Sequence, residues 1–203
     1  MTPEARLGLS VVVLAGGQSR RLGRDKALLE IEGQPLLTRA VQRLGSLSDD
    51  LIVVTSHAAR YEPLALPVRL VPDERPGLGA LMGVYAGLKA ARHPYALAVG
   101  CDMPFLNLDL LSYMWSLVDD QDVVIPRMGE WLEPLHAIYA QTCLPAMKRL
   151  LDQGRRQVIA FFPEVRVRYV EEDEIRRFDP QRLSFLNVNT PDDWARVRAL
   201  LET

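Results

Sequence analysis

The sequence of 203 residues is poor in cysteine and histidine, with two cysteines, Cys101 and Cys143, far apart and three histidines. Structural zinc sites need closely spaced Cys and His, so this scarcity argues against one. The 24 Lys and Arg residues do not outnumber the 26 acidic ones, and a chain without net positive charge is a poor candidate for binding nucleic acid. No apolar run approaches the ~18 residues of a membrane helix, and the first residues do not resemble a signal peptide. We therefore expect a cytoplasmic protein that binds neither nucleic acid nor a membrane.

What the sequence does have is the composition of a globular protein. Hydrophobic residues make up 48% of the chain and charged residues 25%, which is enough apolar material for a sizeable core. We find no internal repeat and no linker rich in proline, glycine and serine. The sequence therefore predicts a single domain over residues 1–203.

Short apolar runs alternate with amphipathic segments along the chain. The predicted strands are residues 9–14, 51–54, 68–71, 95–99, 123–125 and 135–139. The predicted helices are residues 35–47, 80–92 and 107–120 and a last helix that Thr190 caps, with Pro191 in its first turn. Residues 157–179 are predicted to be a peripheral strand and a solvated acidic loop. Such alternation predicts an α/β fold with a mostly parallel, Rossmann-like sheet and helices on both faces.

The most informative segment follows the first predicted strand and reads Leu-Ala-Gly-Gly-Gln-Ser-Arg-Arg-Leu-Gly-Arg-Asp-Lys from Leu14 to Lys26. Open parallel sheets bind ligands at the carboxyl ends of their strands, and glycines there let backbone N–H groups approach phosphate oxygens. Lys26 is one of three lysines among 24 basic residues, and a compact ammonium group suits a phosphate that changes geometry during a reaction. The alternative is a solvated surface lysine. The spacing fits neither the P-loop nor the dinucleotide-binding fingerprint.

This segment resembles the signature of the molybdenum cofactor guanylyltransferases, within the nucleotidyltransferase superfamily. The resemblance continues in the same order through Val71-Pro-Asp73, residues 77–83, Cys101-Asp-Met-Pro104 and Asn187-Val-Asn-Thr-Pro191. It implies a fold like that of the nucleotide-diphospho-sugar transferases. It also implies a nucleotide-binding half at about residues 9–105 and an acceptor-binding half at about residues 106–203.

The resemblance implies a set of nucleotide-binding residues, namely Leu14, Ala15, Gly16, Gly17, Lys26, Asp73, Leu81, Gly83 and Asp102. Lys26 and Asp102 would be catalytic, and Asp102 would be the ligand of Mg²⁺, with Mn²⁺ as the alternative metal. A local alternative for Asp102 and Asp73 is a turn or loop aspartate. Asn187 and Asn189 match positions on the acceptor side, although Asn189 could instead help to cap the last helix. His136 is expected to be structural.

The implied reaction is transfer of GMP from GTP to molybdopterin, with release of pyrophosphate. Ala80 and Met82 stand where the family usually has proline and alanine beside guanine, so other activities stay open. These are a cytidylyltransferase acting on molybdopterin, a sugar-phosphate nucleotidyltransferase, or a non-catalytic nucleotide-binding protein of the same fold. The tripeptide Ala15-Gly16-Gly17 favours guanine, since cytidine-using relatives tend towards Ala-Ala-Gly. The implied partners are GTP, molybdopterin and, transiently, proteins that deliver or accept the cofactor.

Overall fold

The computed structural model describes residues 7–16, 25–75 and 77–201. Its strands are β1 (Ser10–Leu14), β2 (Glu30–Ile31), β3 (Gln34–Pro35), β4 (Leu51–Thr55), β5 (Arg69–Pro72), β6 (Tyr95–Gly100), β7 (Val123–Met128), β8 (Trp131–Leu132), β9 (His136–Ala140) and β10 (Val167–Val170). Its α-helices are α1 (Leu36–Leu44), α2 (Ala58–Tyr61), α3 (Ala80–Ala90), α4 (Leu108–Trp115), α5 (Leu144–Asp152), α6 (Glu172–Arg176) and α7 (Pro191–Leu201). Short 3₁₀ helices cover Lys26–Leu28, Glu62–Leu64, Gln141–Cys143, Val158–Glu164 and Leu183–Phe185.

One mixed sheet runs through the molecule in the strand order β10-β7-β9-β6-β1-β4-β5, and β8 forms a hairpin with β7. The pairs β1–β4, β1–β6, β4–β5 and β7–β10 are parallel. Only β9 within that order runs the other way, antiparallel to both β6 and β7. The strands β2 and β3 form a separate two-stranded ribbon. The predicted α/β class with a mostly parallel sheet is confirmed.

Apolar side chains bury both faces of the sheet. In β1, Val11 and Val13 point into one core and Val12 into the other, and all three are fully buried. The first core is covered by α1, α4 and α6, and the second by α3 and α5. This two-sided burial explains why β1 is apolar at consecutive positions. A smaller cluster that includes Val188 and Val197 packs α7 against the β2–β3 ribbon.

Most predicted elements exist with different bounds: the helices α1, α3 and α4 are shorter than predicted, while the strands β4, β6 and β7 extend further. The helix predicted at residues 107–120 ends at Trp115, and the Asn107 side chain caps its start by accepting a hydrogen bond from the N–H of Leu110. The helix α5, at residues 144–152, was not predicted from the sequence. The strand predicted at residues 135–139 is β9, whose direction a residue pattern does not reveal.

The predicted acidic loop at residues 171–174 is wrong. Glu171 and Glu174 form a reciprocal capping box that starts α6, and the Glu174 carboxylate also accepts hydrogen bonds from Arg168 and Tyr113. Burial would raise the pKa of Glu174, but these hydrogen bonds lower it to about 2. The hydrogen bond between Arg168 and Glu174 therefore joins the edge strand β10 to α6. Among the described residues, no helix combines the length and the hydropathy that a membrane crossing requires.

Two glycines let α3 approach β1 closely. A Cβ atom added to Gly87 would lie 2.2 Å from Cγ1 of Val12, and one added to Gly83 would lie 2.5 Å from Cδ2 of Leu14. The backbone of the helix therefore rests directly on the strand. This packing brings the first turn of α3 to the carboxyl end of β1.

Candidate active site

The predicted site residues follow strands that end at one edge of the sheet. Beyond the strand ends, backbone N–H groups of Ala15, Asp73 and Cys101 still donate to carbonyls of the neighbouring strands, over 2.9 Å, 3.1 Å and 3.1 Å. These hydrogen bonds hold the segments after β1, β5 and β6 side by side. The carboxyl edge of the parallel strands is where open α/β sheets bind ligands.

A cleft of about 220 Å³ opens along this edge. The predicted residues that line it are Leu14, Ala15, Gly16, Lys26, Asp73, Gly83 and Asp102. Gly79 and Ala80, at the start of α3, form another part of its wall. Gly17, also predicted to bind the nucleotide, lies outside the described residues. Seven of the predicted nucleotide-binding residues thus share one cavity.

Lys26 and Asp102 form an ion pair inside the cleft, with Nζ 3.0 Å from Oδ2. Both side chains are about one-fifth exposed, so the pair is partly desolvated yet reachable by a ligand. The amide oxygen Oδ1 of Asn189 lies 2.5 Å from the same Nζ. Side chains from two distant parts of the chain thus contact the Lys26 ammonium group.

Local structure places each member of this cluster. Asp25 caps the 3₁₀ helix Lys26–Leu28 by accepting a hydrogen bond from the N–H of Ala27 at 3.1 Å, which fixes the backbone of Lys26. On the other side, the N–H of Val188 donates to the carbonyl oxygen of Asp102 over 3.0 Å. Val188 is fully buried. Its hydrogen bond to Asp102 therefore holds the next residue, Asn189, beside the cleft.

Gly100 makes room for the Asp102 carboxylate. A Cβ atom at Gly100 would lie 2.5 Å from Oδ1 of Asp102, so the carboxylate fits against the strand end only because this residue has no side chain. Carboxylate oxygen is the donor that a hard divalent cation prefers. The described residues contain no group of three or more His, Cys, Asp or Glu suited to a metal. One carboxylate oxygen donor in a cleft open to a ligand is chemically compatible with a hard divalent cation.

The sequence also matches a known protein family. Residues 11–170 match the family model described as the MobA-like NTP transferase domain, which is well over half of the chain. The chain belongs to this family.

Relatives of this MobA-like NTP transferase cover nearly its whole length. It is 39% identical over 191 residues to the probable molybdenum cofactor guanylyltransferase of Pelotomaculum thermopropionicum, covering 94% of this chain and 92% of the relative. It is 36% identical to the molybdenum cofactor guanylyltransferase of Syntrophotalea carbinolica, covering 93% and 90%. The crystal structure of molybdopterin-guanine dinucleotide biosynthesis protein A from Archaeoglobus fulgidus superposes with a TM-score of 0.84 at 26% identity, covering 96% and 99%.

The two predicted acceptor-side asparagines of this MobA-like chain differ in their surroundings. The Asn189 side chain contacts Lys26 and does not cap α7. Thr190 is the cap, as predicted, since its Oγ1 accepts from the N–H of Asp193 at 3.1 Å while the Asp193 carboxylate accepts from the N–H of Thr190 at 2.8 Å. The Asn187 amide donates to the carbonyl of Phe185 over 3.3 Å, within its own turn. The structure therefore brings Asn189, but not Asn187, to the Lys26–Asp102 pair.

Leu81 corrects one prediction. Its side chain is 0% exposed and packs in the core under α3, so it offers no apolar surface to a nucleotide base. The reason is its rotational position, since the residue after Ala80 faces the sheet while Gly79 and Ala80 face the cleft.

Three polar residues at this edge were not singled out from the sequence. Asp25, inside the signature, caps the helix that carries Lys26, and the hydroxyl of Tyr61 contacts that carboxylate. An aspartate two residues before the N–H that it accepts from is a recognisable capping signal, whereas nothing in the sequence marks Tyr61. Glu133 is buried, and this burial, together with the charge of Asp102, raises the pKa of its carboxyl.

Proposed function

We propose that this protein transfers GMP from GTP to molybdopterin, forming molybdopterin guanine dinucleotide and pyrophosphate. The observation that carries the proposal is the Lys26–Asp102 pair, with Nζ 3.0 Å from Oδ2, at the carboxyl edge of the parallel strands. The names of relatives at 36–39% identity over nearly the whole chain support the choice of substrates.

The triphosphate would bind between β1 and the start of α3. Gly16 lines the cleft with its backbone there, and we propose Gly17 as a continuation of this phosphate-binding segment. The Gly79 N-cap has no side chain to occupy the first N–H groups of α3, and these groups attract negative charge. Asp73 and Gly83 line the same cleft. We assign the nucleotide to the half of the chain at about residues 9–105 and the acceptor to the half at about residues 106–203.

The chemistry is an in-line displacement at phosphorus. An oxygen of the molybdopterin phosphate forms a bond to the α-phosphorus of GTP, the bond from that phosphorus to the bridging oxygen of the β-phosphate breaks, and pyrophosphate leaves. The Lys26 ammonium group stabilises the negative charge that develops on the α-phosphate. Asn189, hydrogen-bonded to the same ammonium group, orients it at the place where the acceptor phosphate must arrive.

Asp102 would hold a divalent cation, Mg²⁺ or alternatively Mn²⁺, which when bound supplies Lewis-acid polarisation of the phosphate oxygens. The same carboxylate forms the ion pair with Lys26. The cytoplasmic location and transient contact with proteins that deliver or accept the cofactor stay predictions.

The experiment is turnover of the purified protein with GTP, molybdopterin and magnesium, followed by pyrophosphate release and by the mass of the product. We expect Asp102→Ala to lose at least about a hundredfold in rate, because a Lewis-acid site is worth several kcal/mol in the transition state. Asp152→Ala is the matched control, since Asp152 forms exposed ion pairs with Arg75 and Lys148 outside the cleft. A folded Asp102→Ala variant with a near wild-type rate would refute the role of the pair, and absence of any dinucleotide product from the wild type would refute the activity.

A further inference from the structure

One buried hydroxyl group touches both ends of the segment that follows β1. Tyr61, the last residue of α2, is only 4% exposed. Its Oη lies 2.9 Å and 3.1 Å from the two carboxylate oxygens of Asp25 and 3.2 Å from the carbonyl oxygen of Ala15. Ala15 is the first residue after β1, and Asp25 directly precedes Lys26. The two ends of residues 15–25 therefore meet at one tyrosine.

The Asp25 carboxylate connects the Tyr61 hydroxyl to the 3₁₀ helix that carries Lys26. Its Oδ1 accepts from the N–H of Ala27 at 3.1 Å, and its Oδ2 lies 3.5 Å from a guanidinium nitrogen of Arg60. The carboxylate is thus held by α2 on one side and by the 3₁₀ helix on the other. Since Lys26 follows immediately, the place of its backbone depends on where Asp25 is held.

The chemistry of the hydroxyl suits this task. Burial, together with the neighbouring charge of Asp25, raises the pKa of the Tyr61 phenol, so the group stays protonated and able to donate. A hydrogen bond from a neutral hydroxyl to a carboxylate is charge-assisted and stronger than one between neutral groups. Phenylalanine would keep the packing of the ring and lose only this donor.

We infer that Tyr61 is a positioning residue for the transfer reaction, which sets the place of Lys26 through the Asp25 carboxylate. The inference rests on the proposed function, because it assigns the role through Lys26. Tyr61 lies outside the cleft lining and touches no reacting group. Its effect should therefore fall on the alignment of the ammonium group with the phosphate, and only weakly on ground-state binding.

Tyr61→Phe tests this inference, with Tyr95→Phe as the matched control. Tyr95 begins β6 at the opposite edge of the sheet, and its hydroxyl donates to the carbonyls of Gln121 at 3.1 Å and Val118 at 3.3 Å. Each variant loses the hydrogen bonds of one hydroxyl group, and thermal unfolding measures the stability that each loses. We expect kcat to fall about 10- to 100-fold in Tyr61→Phe alone, with the Kd for GTP changed by less than about threefold, because misplacement of a catalytic group acts mainly on the chemical step.

A second readout does not require turnover. The chain has three lysines, Lys26, Lys89 and Lys148, so acetylation by an amine-reactive ester can be followed at each one by peptide mass spectrometry. Loosening Lys26 from Asp102 exposes its amine to the reagent, so we expect its labelling rate to rise about threefold or more in Tyr61→Phe. Lys89 and Lys148, in ion pairs on the surface, serve as internal references.

The two readouts separate the possible failures. Wild-type kcat together with wild-type labelling of Lys26 in Tyr61→Phe overturns the inference, and so does an equal change in Tyr95→Phe. Faster labelling in a protein whose wild type makes no dinucleotide supports the positioning of Lys26 and refutes the proposed activity instead. Asp25→Ala combined with Tyr61→Phe checks the route, since a double variant no slower than the slower single variant, within about twofold, shows that both residues act through one contact.

Discussion

At the scale of single residues, Lys26 is the point where three segments of the chain converge. Its ammonium group is bonded to Asp102 from the end of β6 and to Asn189 from the segment before α7. A small rotating charge can leave a carboxylate for a phosphate without rebuilding the loop that carries it. The ion pair therefore prepares the lysine for the reaction more than it stabilises the fold, because pairs with this much solvent contact contribute little to stability.

We predict that Lys26→Ala lowers kcat more than it weakens GTP binding. In the proposed mechanism, backbone N–H groups of Gly16 and of the start of α3 hold the ground-state phosphates, while the ammonium group responds to charge that appears during transfer. Lys26→Arg should restore only part of the rate, because a planar guanidinium cannot follow the phosphate as an ammonium can. Steady-state kinetics with direct GTP titration measures the split. An unchanged kcat with a raised KM would show that Lys26 only binds.

His136 is a polar residue enclosed in the apolar interior. It is fully buried beside the ring of Phe185, and neither ring nitrogen has a hydrogen-bond partner among the described residues. Burial lowers the pKa of His136 from 6.5 to about 4, opposed weakly by the charge of Asp179. His136 is predicted from the sequence to be structural, and its neutral, enclosed ring is consistent with that prediction.

We predict that His136 makes the fold sensitive to acid. Between pH 6.5 and pH 4 the unfolded chain binds a proton that the folded chain excludes, so the free energy of unfolding falls as the pH falls through this window. At pH 4.5 the loss relative to pH 7.5 should be about 2–3 kcal/mol larger in the wild type than in His136→Leu. Denaturant titration at the two pH values measures it. Parallel losses in the two proteins would contradict the lowered pKa.

At the scale of elements, the contact between α3 and β1 depends on the absence of side chains. Gly87 faces Val12, whose branched Cγ atoms are buried in a central strand and cannot move aside. Gly83 faces only the flexible end of Leu14. Both glycines have a cost in helix propensity of about 1 kcal/mol relative to alanine, which their packing must offset.

We predict that Gly87→Ala lowers the free energy of unfolding by about 2 kcal/mol, because overpacking of a rigid core outweighs the gain in helix propensity. Gly83→Ala is the control and should lose less, since the Leu14 side chain can rotate. That rotation should disturb the cleft, which Leu14 lines, and appear as weaker GTP binding. Urea unfolding of both variants provides the measurement, and a Gly87→Ala protein as stable as the wild type would show that α3 shifts freely on the sheet.

The elements also show how far a residue pattern can predict this fold. The run Leu-Ser-Val-Val-Val-Leu indicates β1 because a strand buried on both faces must be apolar throughout. The reversed direction of β9 was not predictable, since this strand is buried on both faces, as the parallel strands β1 and β6 are, and is therefore similarly apolar. Residues 171–174 were misjudged because Glu171 and Glu174 satisfy each other and the backbone, a reciprocity that appears only once α6 is formed.

At the scale of the whole molecule, the site depends on contacts between positions far apart in sequence. Lys26 and Asp102 were predicted because each stands in a recognisable motif after a strand. The hydrogen bond from Lys26 to Asn189 spans 163 positions and exists because Val188 is buried beside the Asp102 turn. Leu81 was misassigned because a motif fixes its place along α3 but not the face of the helix on which its side chain lies.

The base specificity tests the central claim, that this MobA-like chain is a guanylyltransferase. Residues 77–79 and the first turn of α3 reach the cleft, which Gly79 and Ala80 line. A site whose backbone carbonyls accept from the donor-rich edge of guanine leaves them unpaired when the smaller cytosine binds, at about 1–3 kcal/mol each, so two such groups give roughly a hundredfold preference or more.

The most direct measurement is a competition in which the purified protein, molybdopterin and magnesium are incubated with GTP and CTP at equal concentration, and the dinucleotide products are quantified by mass. We predict that molybdopterin guanine dinucleotide exceeds the cytidine product by about a hundredfold. A cytidine product equal to or greater than the guanine product would contradict the guanylyltransferase assignment and indicate a cytidylyltransferase.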